Sequence, residues 1–222
     1  MSSIEQALQQ ISSELKPFNA SLIAVTKGKN SPMIMEAYNF GQRSFGENYV
    51  QELIEKQKQL PADIQWHFIG HLQTNKVKFI APFISLIHGV DSFKLLKEIN
   101  KEAAKINRVI DCLLQLYIAT EESKFGFSEK EIFEMINNSA FNELNSICIK
   151  GVMAMATNTT DESLVRKEFK MAKTCFEKMQ GINLPNLKPE FISTGMSNDY
   201  KLALAEGSNM VRIGSLIFGE RN

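Results

Sequence analysis

The segment Leu22–Phe40, LIAVTKGKNSPMIMEAYNF, reads as one strand followed directly by one helix, and this unit sets the architecture expected of the chain. Its first part is a short apolar run rich in Ile and Val, which is typical of a buried parallel strand. Its second part begins at Ser31-Pro32, where a capping residue precedes a proline at the first helical position. The turn between the two parts is VTKGKN, not the GxGxxG turn of a dinucleotide-binding open sheet.

The same strand–helix unit recurs to the end of the chain. The predicted strands are Leu22–Lys27, Ser44–Gly46, Gln65–Gly70, Leu86–Asp91, Ile110–Ala119, Ile147–Ala156, Glu190–Thr194 and Met210–Ile213. The predicted helices are Ser2–Leu15, Pro32–Phe40, Val50–Gln59, Asn75–Phe79, Phe93–Ile106, Glu129–Asn137, Glu162–Met179 and Asn198–Glu206. Alternating strands and helices predict an α/β fold with a parallel sheet covered by helices. A closed (β/α)8 TIM barrel uses all eight strands, whereas a doubly wound open sheet is the alternative that the first turn disfavours.

Length and composition indicate one domain. A chain of 222 residues suits a single barrel, so we expect one domain over 1–222, with an extra N-terminal helix and lead-in over 1–18. The 25 basic residues balance the 25 acidic ones, which argues against nucleic acid as a partner. No apolar run reaches the ~18 residues of a membrane span. The N-terminus is polar and amphipathic, so we expect neither a signal peptide nor a membrane location.

The cysteines and histidines do not predict a metal site. Cys112, Cys148 and Cys175 lie far apart in apolar surroundings and form no CxxC pair, which favours a reducing, cytoplasmic location. His67 and His71 are four residues apart, but on a strand and turn that spacing does not bring two imidazoles together.

Lys27 is the first candidate functional residue. Strand alternation places it on the same face as Ile23 and Val25, at the end where barrel active sites lie. A desolvated lysine there has a lowered pKa and forms Schiff bases with carbonyl compounds. Taken alone, the position is more often that of a lysine whose ammonium extends into solvent.

The end of the chain predicts an anion site, and this site strengthens the interpretation of Lys27 as a Schiff-base lysine. The seventh strand is followed by Ser193-Thr-Gly-Met-Ser197, and the eighth runs into Arg212-Ile-Gly-Ser215. In barrels the loops after these two strands commonly bind phosphate. Small residues let backbone amides approach an anion, and the hydroxyls of Ser197 and Ser215 add donors.

Four further residues are predicted to lie inside the barrel, and their roles are open or structural. Arg212 needs a partner on its apolar strand, and either an ion pair with Glu47 or Glu206 or a ligand acceptor would supply one. His88 is expected to be a hydrogen-bonded interior histidine. The methionines of GVMAMAT, Met153 and Met155, are expected to fill the barrel.

Taken together, the segments LIAVTKGK, FGENYVQE, WHFIGHLQTNK, SKFGF, GVMAMA, STGMSNDY and GSNMVRIGSLIFGER resemble the signature blocks of the YggS/PROSC family, the pyridoxal-phosphate homeostasis proteins. The match runs in order from about residue 20 to the C-terminus. The resemblance implies the fold type III barrel of the alanine racemase N-terminal domain, with pyridoxal 5′-phosphate (PLP) as cofactor.

The resemblance also implies roles for individual residues. Lys27 takes the position of the lysine that carries the cofactor as a Schiff base, and Arg212 that of the arginine facing the pyridine nitrogen. The phosphate loops match Ser197, Gly214 and Ser215, with Met196 between the turns. Asn48 and the segment His67–Leu72 match blocks that line the cofactor.

One position departs from the family pattern. Many relatives carry Asn in the fifth strand, where this chain has Tyr117, so any role of that Asn is in doubt here. Glu122 and Lys124 of the same block are retained.

The resemblance, together with the residues present, predicts cofactor buffering or delivery without efficient catalysis. An arginine at the pyridine nitrogen keeps that atom unprotonated, which weakens the ring as an electron sink. Related racemases use a base from a second, β-rich domain, for which this chain has no residues left. We therefore expect a cytoplasmic monomer whose partners are PLP, related B6 vitamers and apo PLP enzymes. The alternatives are a PLP-dependent amino-acid racemase or lyase of low activity, and a cofactor-free Schiff-base aldolase for phosphorylated sugars.

Overall fold

The computed structural model describes residues 2–120 and 125–220, so Glu122 and Lys124 lie outside the described residues. Its strands form one closed parallel barrel in the sequential order β1 to β8, which confirms the predicted (β/α)8 fold. The strands are β1 Ser21–Val25, β2 Ser44–Glu47, β3 Gln65–Phe68, β4 Leu86–Val90, β5 Ile110–Gln115, β6 Ile147–Met153, β7 Leu187–Ser193 and β8 Met210–Ile213. The barrel closes where β8 pairs with β1, with Ile23 opposite Arg212.

The helices cover the outside of the barrel. They are α1 Ser3–Leu15, α2 Ser31–Asn39, α3 Val50–Gln59, α4 Val77–Ile80, α5 Phe93–Lys105, α6 Glu129–Ile136, α7 Ser139–Asn142, α8 Glu162–Gln180, α9 Tyr200–Ala205 and α10 Ser215–Phe218. Short 3₁₀ turns precede β1 at Lys16–Phe18 and precede α4 at Thr74–Lys76. The short helices α7 and α10 were not predicted, because four residues are too few for a periodic pattern.

Several predicted helix starts differ from the structure by one or two residues, and α2 and α9 show the physical reason. The N-cap of α2 is Asn30, not Ser31, because the Asn30 side chain accepts a hydrogen bond from the Met33 N–H at 3.1 Å. Helix α9 begins at Tyr200, two residues later than predicted, because the Asp199 side chain instead accepts from the Met196 N–H in the preceding turn.

The extra N-terminal helix is confirmed. A capping box starts α1, since the Ser2 side chain accepts from the Glu5 N–H while the Glu5 carboxylate accepts from the Ser2 N–H. Its buried residues are spaced three or four apart and form one apolar face: Ile4, Leu8, Ile11 and Leu15. The helix packs against α2 and α10, so it covers the flank of the barrel where β8 meets β1.

The interior of the barrel has an apolar layer and a polar layer. The apolar layer consists of buried residues from five strands: Ile23, Leu86, Leu113, Met153 and Met210. Met155 packs against this cluster, which confirms the predicted inward positions of both methionines. Nearer the C-terminal strand ends, buried polar side chains replace the apolar ones: His67, His88, Gln115, Ser193 and Arg212. The apolar layer closes the barrel from below, and the polar layer faces the end where the candidate residues lie.

In the described part of the chain, no helix combines the length and the apolar composition needed to cross a membrane.

Candidate functional site

The candidate cofactor residues lie at the C-terminal ends of four consecutive strands. Lys27 follows β1, Asn48 follows β2, the pair Met196 and Ser197 follows β7, and Gly214-Ser215 follows β8. Because β8 is hydrogen-bonded to β1, these four strand ends are neighbours around the barrel. Arg212 lies on β8 itself and points into the barrel below them. The topology therefore gathers the residues chosen from the sequence on one side of the barrel mouth.

Lys27 is half-buried and stands two residues beyond the end of β1. The preceding residue, Thr26, is fully buried, and its Oγ1 donates to Glu47 Oε1 at 2.6 Å. The Thr26 N–H donates to the carbonyl of Gly46 at 3.0 Å, which continues the β1–β2 pairing past the end of the strand. The backbone that leads into Lys27 is therefore fixed on β2.

A buried lysine of α3 fixes the same segment from the other side. Lys56 Nζ donates to the Thr26 carbonyl at 2.7 Å, to Glu47 Oε1 at 2.6 Å and to Glu52 Oε1 at 2.6 Å. An ammonium has three N–H donors, so each finds one acceptor. Burial raises the pKa of the Glu47 carboxyl, while the charge and hydrogen bond of Lys56 lower it.

The residues after Lys27 are held as well. The Gly28 N–H donates to Glu52 Oε1 at 2.6 Å. Lys29 Nζ donates to three carbonyls at and just after the end of α10, those of Phe218 at 3.0 Å, Gly219 at 3.0 Å and Glu220 at 2.8 Å. Lys29 thus acts as a C-terminal cap and ties the Lys27 loop to the loop after β8. Lys27 is flanked on both sides by anchored backbone.

The predicted phosphate loops are in contact with each other. The Gly214 N–H points to Ser197 Oγ at 3.4 Å, a long hydrogen bond that joins the loop after β7 to the loop after β8. In α10 the first hydrogen bond is donated by Ile217, so the N–H groups of Ser215 and Leu216 precede the helical ladder. Hydroxyl and amide donors therefore converge where the two loops meet, which fits an anion.

Gly195 permits the close turn between β7 and α9. Its φ is +86°, and a Cβ built there would lie 2.6 Å from Cβ of Ala203. Any other residue would be strained in conformation and would collide with α9. Glycine is therefore required for Ser197 to reach Gly214.

Met196 contributes less backbone to this site than its place between the loops implied. Its N–H donates to Asp199 Oδ1 at 2.6 Å, so that donor is already occupied. Its side chain is 40% exposed at the rim of the mouth. Met196 therefore offers apolar surface to a ligand.

Arg212 is held by uncharged acceptors. Its Nη1 donates to the Ser193 carbonyl at 2.6 Å and to Ser193 Oγ at 2.7 Å, and its Nη2 donates to the Ala154 carbonyl at 3.1 Å. The two acids considered from the sequence bind elsewhere, Glu47 to Lys56 and Glu206 to Arg166 at 2.9 Å. Burial lowers the pKa of Arg212 to about 10, so the guanidinium stays charged at neutral pH.

Three of the five N–H groups of Arg212 are used by these contacts, and within the described residues the other two have no hydrogen-bond acceptor. Of the two interpretations of Arg212, an ion pair with Glu47 or Glu206 is therefore excluded, and a role as hydrogen-bond donor to a ligand remains.

Asn48 has an unused polar atom at the same mouth. Its Oδ1 is buried and has no hydrogen-bond partner among the described residues, and the same holds for Glu47 Oε2 next to it in sequence. Buried polar atoms in proteins are normally paired, so unpaired ones at a barrel mouth favour a ligand-binding role. The site thus offers a primary amine, an anion-binding turn, a buried arginine and an unpaired amide oxygen, a set that fits PLP.

A different part of the mouth is formed by the segments that follow β3, β4 and β5. His71 Nδ1 lies 2.8 Å from Asp91 Oδ2, and the His71 ring stacks on Phe125. These residues, with Ser92, Tyr117 and Gly126, line an open cavity of about 500 Å³. Tyr117, the departure from the family pattern, therefore lies away from the phosphate loops.

Sequence reasoning missed several residues that organise the site. Lys56 and Glu52 carried a detectable signal, because Val50, Leu53 and Lys56 follow one another at helical spacing and a charge on a buried helix face requires a partner. Ser193 carried none, since a serine at a strand end has no distinguishing pattern.

Comparison with known proteins gives consistent matches. The family described as alanine racemase, N-terminal domain, matches residues 1–222. The pyridoxal phosphate homeostasis protein of Vibrio alginolyticus is 33% identical over 236 residues, covering 100% of this chain and 99% of the relative. That of Aquifex aeolicus is 37% identical over 206 residues, covering 91% of this chain and 87% of the relative.

Solved structures give the same result. PipY of Synechococcus elongatus, without PLP, superposes with a TM-score of 0.90 at 34% identity, covering 97% of this chain and 100% of PipY. The structure of PipY with PLP bound superposes with a TM-score of 0.86 at 33% identity, with the same coverage.

Proposed function

The chain belongs to the family of pyridoxal phosphate homeostasis proteins, built on the alanine racemase N-terminal domain, and on this premise we propose that it binds PLP through Lys27 and buffers or delivers that cofactor. One observation supports the proposal most strongly. Lys27, the Ser197–Gly214–Ser215 turn and Arg212 lie on or directly after neighbouring strands. The PLP-bound structure of PipY supports it, because that protein shares the fold over 97% of this chain.

Lys27 is the attachment residue of this proposal. PLP supplies an aldehyde, which condenses with a primary amine and releases water. The hydrogen bonds at Thr26 and Gly28 hold the Lys27 backbone before any ligand arrives. Binding therefore does not have to order this loop, which reduces its entropic cost.

The turn formed by Ser197, Gly214 and Ser215 binds the phosphate in this proposal. Its donors are neutral backbone amides and hydroxyls, which hold an anion without the desolvation cost of a second buried charge. Asn48 Oδ1 remains as an acceptor on the opposite side of Lys27. Phosphate and aldehyde are thus held by adjacent loops.

Arg212 determines what chemistry the bound cofactor supports. A guanidinium donates hydrogen bonds and accepts none, so a ring nitrogen facing it must be the acceptor and carry no proton. An unprotonated pyridine is a weak electron sink. We therefore propose that the protein is not an efficient racemase or lyase.

Partners, oligomeric state and location are part of the same proposal. We propose that the protein is a monomer. Its partners are PLP, related B6 vitamers and apo PLP enzymes that receive the cofactor. Cys112, Cys148 and Cys175 are buried free thiols, as suits a reducing cytoplasm.

The proposal is tested by titrating the purified protein with PLP and recording absorption between about 300 and 500 nm. We expect a saturable band near about 420 nm in the wild type and in Lys58→Ala, and its loss in Lys27→Ala. Lys58→Ala is the matched control, since it removes an exposed ammonium on α3. The absence of a band from the wild type would contradict PLP binding through a lysine.

A further inference from the structure

A chain of four polar side chains crosses the barrel interior from β8 to β3. Arg212 Nη1 donates to Ser193 Oγ at 2.7 Å, Ser193 Oγ lies 3.0 Å from His88 Nδ1, and His88 Nε2 lies 2.9 Å from His67 Nδ1. The four residues are at most 6% exposed. A buried chain of this kind has few ways to satisfy every hydrogen.

The arginine sets the direction of the chain. A guanidinium only donates, so Ser193 Oγ is the acceptor in its contact with Arg212. The serine hydrogen then needs an acceptor of its own, and the remaining polar neighbour of that hydroxyl among the described residues is His88 Nδ1. His88 must therefore carry its hydrogen on Nε2.

The same reasoning determines the tautomer of His67. His88 Nε2–H donates, so His67 Nδ1 accepts, and His67 carries its own hydrogen on Nε2. In the opposite direction both histidines would be Nδ1–H, and the hydroxyl hydrogen of Ser193 would have no acceptor among the described contacts. Leaving a buried hydroxyl hydrogen unpaired is costly, so the first direction is favoured.

We propose that Ser193, His88 and His67 are positioning residues for Arg212, joined in a one-way hydrogen-bond relay that fixes both histidines as Nε2–H tautomers. The relay presents only a lone pair to the guanidinium and so holds Arg212 in one orientation, with two N–H groups left for a ligand. The positioning role rests on the proposed function. The assignment of the histidine tautomers rests on the hydrogen bonds alone.

The relay itself adds no charge next to Arg212, so the nearby charge that acts on the pKa of Arg212 is the Asp199 carboxylate, which raises it. Burial lowers the pKa of His67 to about 4 and that of His88 well below its usual range, so both rings are neutral at pH 7. Neutral acceptors hold the guanidinium without neutralising its charge. Its charge therefore remains available to a ligand acceptor in the mouth.

The tautomers are measured in the ligand-free protein by two-bond ¹H–¹⁵N NMR of the histidine rings at pH 7. The chain has 3 histidines, and His71 is the internal reference, because its Nδ1 faces the Asp91 carboxylate and carries a hydrogen. His71→Gln identifies its signals. We expect the other two rings to be Nε2–H, and an Nδ1–H tautomer or a doubly protonated ring for either one would overturn the relay.

The positioning role is tested with Ser193→Ala, which removes only the relay hydroxyl. The matched control is Ser208→Ala, another buried serine hydroxyl, which bonds to backbone carbonyls outside the relay. The ligands are PLP and its 1-deaza analogue, in which carbon replaces the ring nitrogen. We expect Ser193→Ala to weaken PLP binding about tenfold while the affinity for the analogue changes little. Ser208→Ala is expected to leave the ratio of the two affinities unchanged.

Equal weakening for both ligands, or no weakening, would contradict a positioning role through Arg212. If the wild type bound no PLP at all, the proposed function would fail, and the NMR result would still decide the relay.

Discussion

Nζ of Lys56 lies 2.7 Å from the carbonyl oxygen of Thr26, the residue directly before Lys27. The same ammonium binds Glu52, whose carboxylate accepts the N–H of Gly28, the residue directly after Lys27. One buried cation on α3 therefore organises the backbone on both sides of Lys27, the proposed attachment residue. The place of Lys27 in the mouth therefore depends on two side chains of α3, Lys56 and Glu52.

Glu52 is expected to control the mobility of this loop. Glu52→Ala removes the acceptor of the Gly28 N–H, and a hydrogen bond to a charged acceptor contributes about 1.5–3 kcal/mol. We expect the Gly28 amide to exchange with solvent at least about tenfold faster, measured by hydrogen exchange with NMR detection. Glu52→Gln keeps an acceptor oxygen and is expected to restore much of the protection.

The matched control is Glu55→Ala, an exposed glutamate on the same helix. It is expected to leave Gly28 exchange at the wild-type rate. Equal exchange in Glu52→Ala and Glu55→Ala would show that the Glu52 contact does not hold the loop.

Lys56 is expected to be essential for stability. Lys56→Met leaves Glu47, which is fully buried, without its cation, and breaking a buried pair on one side costs about 3–5 kcal/mol. Urea unfolding measures the loss. Lys58→Met, an exposed lysine on the same helix, is expected to change the free energy of unfolding by less than about 0.5 kcal/mol. Similar values for the two variants would contradict a paired buried charge at Lys56.

The buried histidines predict a loss of stability in acid. The pKa of His67 is lowered by burial to about 4, below the ~6.5 of an unfolded histidine, so the unfolded chain binds the proton first. The stability contribution of neutral His67 is fully present above about pH 6.5 and declines as the pH falls toward about 4. His88 changes stability in the same direction.

His67→Asn tests this dependence, because its amide oxygen retains an acceptor for the His88 Nε2–H and does not titrate. We expect the free energy of unfolding of the wild type to fall more steeply between pH 7 and pH 5 than that of His67→Asn. Parallel declines in urea-unfolding series at these two pH values would show that His67 does not titrate on unfolding.

The donor-only character of Arg212 also predicts that the protein removes the α-proton of amino acids only slowly. Because Arg212 only donates, a ring nitrogen facing it stays unprotonated, and α-proton removal from a bound amino acid is poorly supported. With PLP and L-alanine in heavy water, we expect the protein to exchange the α-proton no faster than PLP alone does, as followed by ¹H NMR. Rapid exchange that disappears in Lys27→Ala would instead identify a racemase or lyase.

The barrel could be predicted well from the sequence, because each strand and each helix has a local pattern that identifies it. Strands such as Met210–Ile213 are short apolar runs, and helices such as Val50–Gln59 are amphipathic, so both were predicted at the bounds that the structure shows. The longer apolar runs were overextended, since β5 ends at Gln115 rather than Ala119. Past that point the chain leaves the sheet to form the mouth, and apolar residues there remain buried without being paired in a strand.

The candidate site was predictable only in part. Lys27, Ser197 and Ser215 were selected as candidates because they follow strands whose C-terminal ends lie at the same face of the barrel. Active sites of such barrels lie at that face. The partners of Arg212 were not found, because its contacts with Ser193 and Ala154 join residues 19 and 58 positions away in sequence. Such contacts depend on the register of strands around the barrel, which a local pattern does not encode.

The most direct test of the central claim, that Lys27 is the residue that binds PLP, is to locate the attachment. The protein is saturated with PLP, reduced with borohydride to make the bond permanent, digested and mapped by mass spectrometry. We expect one adduct per chain, on Lys27, both in the wild type and in Lys58→Ala, which lacks an exposed lysine of α3, and none at this loop in Lys27→Ala. Adducts spread over exposed lysines, with Lys27 unmodified, would contradict the account.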